Sequence, residues 1–112
     1  MRTILRSLEF DEFYQNLPLN VQNKVKYAMN IIAEIKVVNI KLVKKLVDTD
    51  FYELRISVGN EYRVILFTID SENFMEAEQI ILLNGFMKKS TKDYKKEIEK
   101  AEQIIRRLWD QS

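Results

Sequence analysis

The stretch FYELRISVGNEYRVILFTID, residues 51–70, decides the fold of this chain. Residues 51–58 alternate strictly between apolar and polar side chains, which is the period of a strand buried on one face. A second apolar run, residues 62–69, follows Gly59-Asn60, and both of these residues tolerate the positive φ of a tight turn. The stretch therefore predicts a β-hairpin. Its first strand has four apolar side chains on one side: Tyr52, Leu54, Ile56 and Val58.

The loop of this hairpin could hold two or three residues, and the choice decides which side chains are paired. A two-residue loop places Arg63 beside Ile56 on the apolar side, where an unpaired guanidinium costs several kcal/mol. A three-residue loop, residues 59–61, keeps that side entirely apolar, so we predict this register. Arg55 and Arg63 should then be exposed on the opposite face, which also carries Glu53. The predicted pairs are Val58 with Tyr62, Ile56 with Val64, and Leu54 with Leu66.

Length and composition predict a single domain spanning residues 1–112, with 46% hydrophobic residues. The chain contains no cysteine and no histidine, which argues against disulfides, thiol nucleophiles, the usual zinc sites and imidazole catalysis. We therefore expect no metal and no cofactor. No apolar run approaches the roughly 20 residues of a membrane helix, and the N-terminal sequence turns acidic before a signal-peptide pattern develops. A cytoplasmic protein without a membrane partner is expected.

The rest of the chain predicts a small α+β domain in the order β-α-α-β-β-β-α. Residues 1–7 form a possible first strand, and helical spacing predicts a helix over residues 8–17 that Pro18 ends. A longer helix follows over residues 21–35, with Asn20 as its cap. Residues 37–50 have no clear period and are interpreted as an irregular connector. The sheet is expected to be antiparallel, with a third strand over residues 79–87, and Ser90 or Thr91 should cap a closing helix that reaches Leu108.

Lysines are segregated along the chain although the formal net charge is only +1. One group precedes the hairpin without an intervening acid, and another follows the third strand. A nearly neutral protein can still present a basic face to phosphates, but lysines are also commonly exposed for solubility alone. The lysines that we predict to bind RNA or the ribosome are Lys41, Lys44, Lys45, Lys92, Lys95 and Lys96.

The motifs FYELRISVGNEYRV, residues 51–64, and ILLNGFMKKSTKDYKKEIEKA, residues 81–101, resemble the RelE/ParE toxin superfamily of bacterial toxin-antitoxin modules, and within it the phage-related, HigB-like branch. The resemblance covers most of the chain and rests on the order and spacing of short motifs. It implies a toxin that enters the ribosomal A site and cuts messenger RNA. It also implies a silencing antitoxin, expected to be a small helix-turn-helix protein encoded beside it.

In this family the catalytic surface combines basic side chains on the sheet, a basic residue after the last strand, and an aromatic or acid-base residue shortly beyond. Two positions depart from the pattern: Glu53 stands where some relatives have a basic residue, and Asn84 stands where the branch often has histidine. These departures weaken the implied nuclease activity and leave the implied fold intact. Carried over to matching positions, the resemblance points to Arg55, Arg63, Lys88, Lys89 and Tyr94.

These residue types suit cleavage of RNA by its own 2′-hydroxyl, which needs a base, charge neutralisation at phosphorus and an acid for the leaving oxygen. The two arginines would clamp the phosphate, since a guanidinium donates two parallel hydrogen bonds. Tyr94 would be the base and Lys88 or Lys89 the acid, with Glu53 as the alternative base. The structural alternatives are that both arginines pair with Glu53 and that Tyr94 is a core residue of the last helix.

Two other functions stay open at this point. A ParE-like protein would poison gyrase by binding it, without chemistry, and the lack of histidine leaves room for that class. A degenerate phage-related protein would only bind its antitoxin or nucleic acid. The basic residues on the sheet and after the third strand favour the ribonuclease.

Overall fold

A computed structural model describes residues 1–110 of the chain. The α+β class and the predicted order of elements are confirmed, with one additional strand, β2. The elements are β1 (Thr3–Arg6), α1 (Leu8–Gln15), α2 (Leu19–Glu34), β2 (Val43–Lys45), β3 (Phe51–Val58), β4 (Asn60–Thr68), β5 (Gln79–Lys88) and α3 (Asp93–Asp110).

The strands form one sheet in the order β1-β5-β4-β3-β2. Strand β1 pairs with β5 in parallel, and the other neighbours are antiparallel, so the sheet is mixed and the expectation of a purely antiparallel sheet was wrong. The interpretation of residues 37–50 as an irregular connector was also wrong, because Val43–Lys45 pairs with β3 as an edge strand. Three residues are too few to show a period in sequence.

The hairpin formed by α1 and α2 covers one face of the sheet, and α3 covers the other. On the first face, Phe10, Val25 and Ile32 are buried against Leu54 and Ile56. Full burial of such a side chain stabilises the fold by about 2 kcal/mol. On the second face, the side chains of α3 pack on a smaller apolar cluster from the three central strands. Together with Leu46 and two residues of α3, these side chains form a buried cluster of Leu46, Phe51, Ile65, Ile81, Leu83, Phe86, Ala101 and Ile104.

The β3–β4 hairpin has its side chains on the predicted faces but in a different register. Ile56 pairs with Tyr62 and Leu54 with Val64, so each predicted pair is displaced by two residues. Pairing continues to the ends of both strands, with Gly59 at the apex at a φ of 70°. A displacement by two residues leaves every side chain on the same face, so the hydrophobic pattern could not distinguish the two registers.

The helix boundaries follow local hydrogen bonds. Ser7 caps α1, because its hydroxyl accepts a hydrogen bond from the Phe10 N–H. Pro18 takes the N-cap position of α2, so Asn20 lies inside the helix and is not its cap. Helix α3 begins at Asp93, slightly later than predicted, and the Asp93 carboxylate accepts hydrogen bonds from the backbone of the turn before it. Within residues 1–110 no helix is long and apolar enough to span a membrane.

Candidate functional site

A cleft of about 330 Å³ lies between β2, β3, the end of β5 and the start of α3. It collects residues from four separate parts of the chain, and most of them were predicted from the sequence. Its apolar wall was not predicted. The lining residues are Lys44, Lys45, Leu46, Val47, Glu53, Arg55, Lys88, Tyr94 and Ile98. A larger cleft of about 500 Å³, at the far end of the hairpin, is lined by acids and includes only Lys45 of the predicted residues.

Glu53 lies at the centre of the polar side chains around this cleft. Its Oε1 atom is 3.3 Å from Nε of Arg55 and 3.4 Å from Nε of Arg63, so one oxygen contacts two guanidiniums. Glu53 is only 3% exposed. A buried carboxylate in this position is stable only because the two cations compensate for its lost hydration. The alternative in which both arginines pair with Glu53 is the arrangement found.

Arg63 is buried, with 3% of its surface exposed, and the prediction that its guanidinium would be exposed was wrong. The start of α3 places Tyr94 against it, and Nε of Arg63 donates a hydrogen bond of 3.2 Å to the Tyr94 hydroxyl. Its NH1 atom donates to Glu61 at 3.2 Å and to the Tyr62 carbonyl at 2.9 Å. Burial alone would lower the pKa of Arg63, but its hydrogen bonds to Tyr94 and Glu61 outweigh that effect and raise the pKa.

Arg55 lies directly opposite Arg63 across the two strands and keeps about a third of its side chain exposed. Two guanidiniums at opposite positions on one face repel each other, and Glu53 compensates for this repulsion. Arg55 is therefore the arginine of this pair that a ligand in the cleft can reach.

Tyr94 joins the start of α3 to this cluster. Its ring packs edge-on against Phe86, with 5.6 Å between the centroids, and Nζ of Lys88 lies 5.4 Å from its centroid. Burial, and then its hydrogen bond to Glu53, raise the pKa of Tyr94 above its ordinary value near 10. The phenol therefore holds its proton more tightly, which is the opposite of what a general base needs.

The predicted lysines divide into three groups. Lys44 lies beside Glu53 in the strand register, and Lys88 is half-buried next to Tyr94. Lys45 also lies on the cleft lining, but its ammonium is engaged over the Tyr52 ring, where it donates to the Thr49 carbonyl. The remaining predicted lysines are exposed and do not line the cleft; they are Lys41, Lys89, Lys92, Lys95 and Lys96.

Two residues that contribute to this site were not predicted from the sequence. Glu61 pairs with Arg63 and accepts a hydrogen bond from Ser57, which with Arg63 lowers the pKa of Glu61. Two residues before Arg63 on the same strand, Glu61 would share its face, and this was the available signal. It was overlooked because Glu61 was predicted to belong to the loop, residues 59–61. Asn84 was noted only as a departure from a motif; its amide donates to the Glu97 backbone and side chain at 3.1 Å and fixes α3 on β5.

Across the described residues, no cluster of acidic side chains is placed to hold a metal ion.

Comparison with known families agrees with this architecture. The family model described as phage-derived protein Gp49-like matches residues 12–106. The chain belongs to the Gp49-like family. This family match spans the end of α1, all of α2, strands β2 to β5 and most of α3, and therefore includes every residue that lines the cleft.

Solved structures with the same fold include RelE toxins. Escherichia coli RelE in the intact RelBE toxin-antitoxin complex has a TM-score of 0.61 and 14% identity, covering 80% of this chain and 100% of that one. A free arginine double mutant of the same toxin has a TM-score of 0.61 and 12% identity, with coverages of 88% and 95%. RelE in the Methanococcus jannaschii RelB-RelE complex has a TM-score of 0.56 and 24% identity, with coverages of 80% and 96%.

The resemblance to the RelE/ParE superfamily is therefore confirmed for this Gp49-like chain, through the family model and the fold together. A comparison with curated proteins finds no significant sequence match.

Proposed function

We propose that this Gp49-like protein is the toxin of a type II toxin-antitoxin module and that it inhibits translation in the cytoplasm by cleaving messenger RNA on the ribosome. The observation that carries the proposal is the convergence of Arg55, Lys88 and Tyr94 at one cleft, although they come from β3, the end of β5 and the start of α3. The RelE-like fold supports the same function.

The accessible groups divide the chemistry of RNA cleavage among them. Arg55 is exposed enough to donate to a phosphate oxygen, and Lys44 and Lys88 add positive charge on either side of it. These charges would stabilise the pentavalent phosphate that forms when the 2′-hydroxyl attacks. Tyr94 keeps its proton, so it suits donation to the leaving 5′-oxygen better than abstraction of the 2′-proton. The 2′-proton would pass to Glu53, the alternative base, whose carboxylate lies on the cleft lining. Lys89 lies outside the cleft and would contact flanking phosphates.

Cleavage would depend on the ribosome because this cleft contains few groups that can assist the reaction. The chain has no histidine, and Arg63, the buried arginine beside the cleft, is already paired with carboxylates. A substrate that the ribosome holds in place gains several kcal/mol through positioning alone. The antitoxin partner is proposed from the solved RelB-RelE complexes, whose toxins share this fold.

A second candidate is a protein that binds without cleaving, such as a ParE-like gyrase inhibitor or a degenerate phage-related member. The observation that favours it is the pairing of Arg63 with both Glu53 and Glu61, which leaves Arg55 as the accessible arginine of the opposed pair.

The two candidates differ in what stops first when the protein is produced without an antitoxin. The ribonuclease predicts that incorporation of labelled amino acids falls before incorporation of labelled thymidine, and that purified protein cleaves messenger RNA on programmed ribosomes. Arg55→Ala should lower the single-turnover cleavage rate by about a hundredfold, because a charge-assisted contact to the transition state is lost. Arg106→Ala, on the exposed side of α3, is the matched control and should cleave normally. DNA breaks that precede the fall in translation would support the gyrase inhibitor instead.

A further inference from the structure

Two guanidiniums face each other across β3 and β4 at positions that are direct partners in the sheet. Like charges placed this way destabilise a sheet unless an anion lies between them. Arg55 opens to the cleft, whereas Arg63 lies behind it. Together they form the cationic half of an anion site.

The anion in this site belongs to the chain itself. One oxygen of Glu53 contacts both Nε atoms, at 3.3 and 3.4 Å, and Glu61 adds a second carboxylate to Arg63. Two arginines and two carboxylates leave the cluster without net charge. The positive charge that an RNA first meets is therefore that of Lys44 and Lys88 on the lining of the cleft.

We propose that Glu53 is an internal counter-anion that fills a phosphate site between Arg55 and Arg63, so that an RNA phosphate binds to these arginines only by displacing it. The identity of the anion as an RNA phosphodiester rests on the proposed function. Carboxylate and phosphate oxygens accept from guanidiniums in the same way, so one replaces the other without new geometry. Lys44 lies beside Glu53 in the register and provides a cation toward which the displaced carboxylate can turn.

An internal counter-anion keeps the affinity of the protein for free RNA low. A phosphate in solution must compete with a carboxylate that is already in place, whereas a phosphate fixed by the ribosome competes at a much higher effective concentration. Glu53 would thereby restrict tight binding to a positioned substrate.

Two variants of equal net charge test the proposal. Glu53→Gln removes the counter-anion, and Glu61→Gln removes the outer carboxylate, which is about half exposed. The probes are inorganic phosphate, through its effect on the Tm at matched ionic strength, and a short single-stranded RNA at several salt concentrations. Glu53→Gln should gain a phosphate-dependent rise in Tm and bind RNA about tenfold more tightly. Its plot of log affinity against log salt should steepen by about 0.7 to 1.4, which corresponds to one or two new phosphate contacts.

Glu61→Gln should resemble the wild type in both measurements, which excludes a simple effect of net charge. Equal behaviour of the two variants, or an unchanged affinity in folded Glu53→Gln, overturns the proposal. If Glu53→Gln does not fold, Glu53→Asp keeps the charge but withdraws the carboxylate by one methylene. Glu53→Asp should then show a smaller phosphate-dependent rise in Tm. A Tm that responds to phosphate as in the wild type overturns the proposal. Phosphate binding needs neither ribosomes nor cleavage, so this result is independent of the ribonuclease assay.

Discussion

The two arginines that the fold buries, Arg2 and Arg63, are almost equally inaccessible but have different surroundings. The Arg2 guanidinium donates to backbone carbonyls at the end of α2, with distances of 2.9 Å to Ile32 and 2.6 Å to Ile35. It also donates at 3.2 Å to the carbonyl of Phe74 and lies over that ring, 4.3 Å from its centroid. Arg63 instead contacts two carboxylates and a phenol.

The difference indicates which of the two charges belongs to the architecture and which to a site. Burial lowers the pKa of Arg2, and its guanidinium donates to main-chain carbonyls that cannot move away without unfolding the end of α2. The partners of Arg63 are side chains that can rotate, and one of them, Glu61, is about half exposed. Fixed partners suit a structural charge, whereas movable partners suit a charge that exchanges ligands.

The largest effect should come from Arg2→Met. This change removes the donors for five carbonyl groups, in two buried and three partly buried hydrogen bonds, and should lower the free energy of unfolding by about 3–5 kcal/mol. Urea denaturation measures it. Arg106→Met is the control, because it removes an exposed arginine whose ion pair with Glu102 contributes less than about 1 kcal/mol. Similar losses of unfolding free energy in the two variants would mean that the hydrogen bonds of Arg2 do not stabilise the fold.

An intermediate effect is expected for Arg63→Met, of about 2–3 kcal/mol, because Glu53 stays buried with only Arg55 as a partner. Adding Glu53→Gln to this variant should restore part of the loss, since no uncompensated carboxylate is left. A double-mutant cycle in urea measures the coupling. Losses that simply add would show that the two side chains do not stabilise each other.

The smallest effect should come from Tyr94→Phe, which removes a hydroxyl but keeps the ring against Phe86, at a cost of about 1 kcal/mol. The pKa of Tyr94 is raised in the folded chain, so the unfolded chain loses this proton first. The contribution of the hydroxyl is complete below pH 10 and is lost as the pH rises through the folded pKa. The wild type should therefore be more stable than Tyr94→Phe below pH 10, and this difference in unfolding free energy should shrink as the pH rises above 10. A constant difference would contradict the raised pKa.

The sequence predicted what short-range periodicity encodes and failed where distant segments meet. The two faces of the β3–β4 hairpin followed from strict alternation, and the apolar run in β5 correctly indicated a strand covered on both sides. The hairpin register was wrong by two residues, because such a shift preserves the faces. Strand β2 was missed because Val43–Lys45 is too short to show a pattern.

The candidate site was anticipated in its members, whereas the pairing of both arginines with Glu53 was foreseen only as the structural alternative. Arg55, Lys88 and Tyr94 were named and do meet at one cleft. The burial of Arg63 was missed because it depends on α3, whose Tyr94 lies 31 residues later in the chain and packs over this face of the sheet. Nothing in the sequence around Arg2 indicated that it would bind carbonyls of α2 and of the turn before β5.

The parallel pairing of β1 with β5 imposes an order of events on the growing chain. Residues 3–6 can join the sheet only after residues 79–82 have been synthesised, and Lys88 and Tyr94 emerge later still. Contacts so distant in sequence form late and slow the search for the native state. Synthesis therefore produces the helical hairpin and the central β-hairpin before it produces the cleft, and a ribosome making this protein meets a complete site only after the start of α3 has been made.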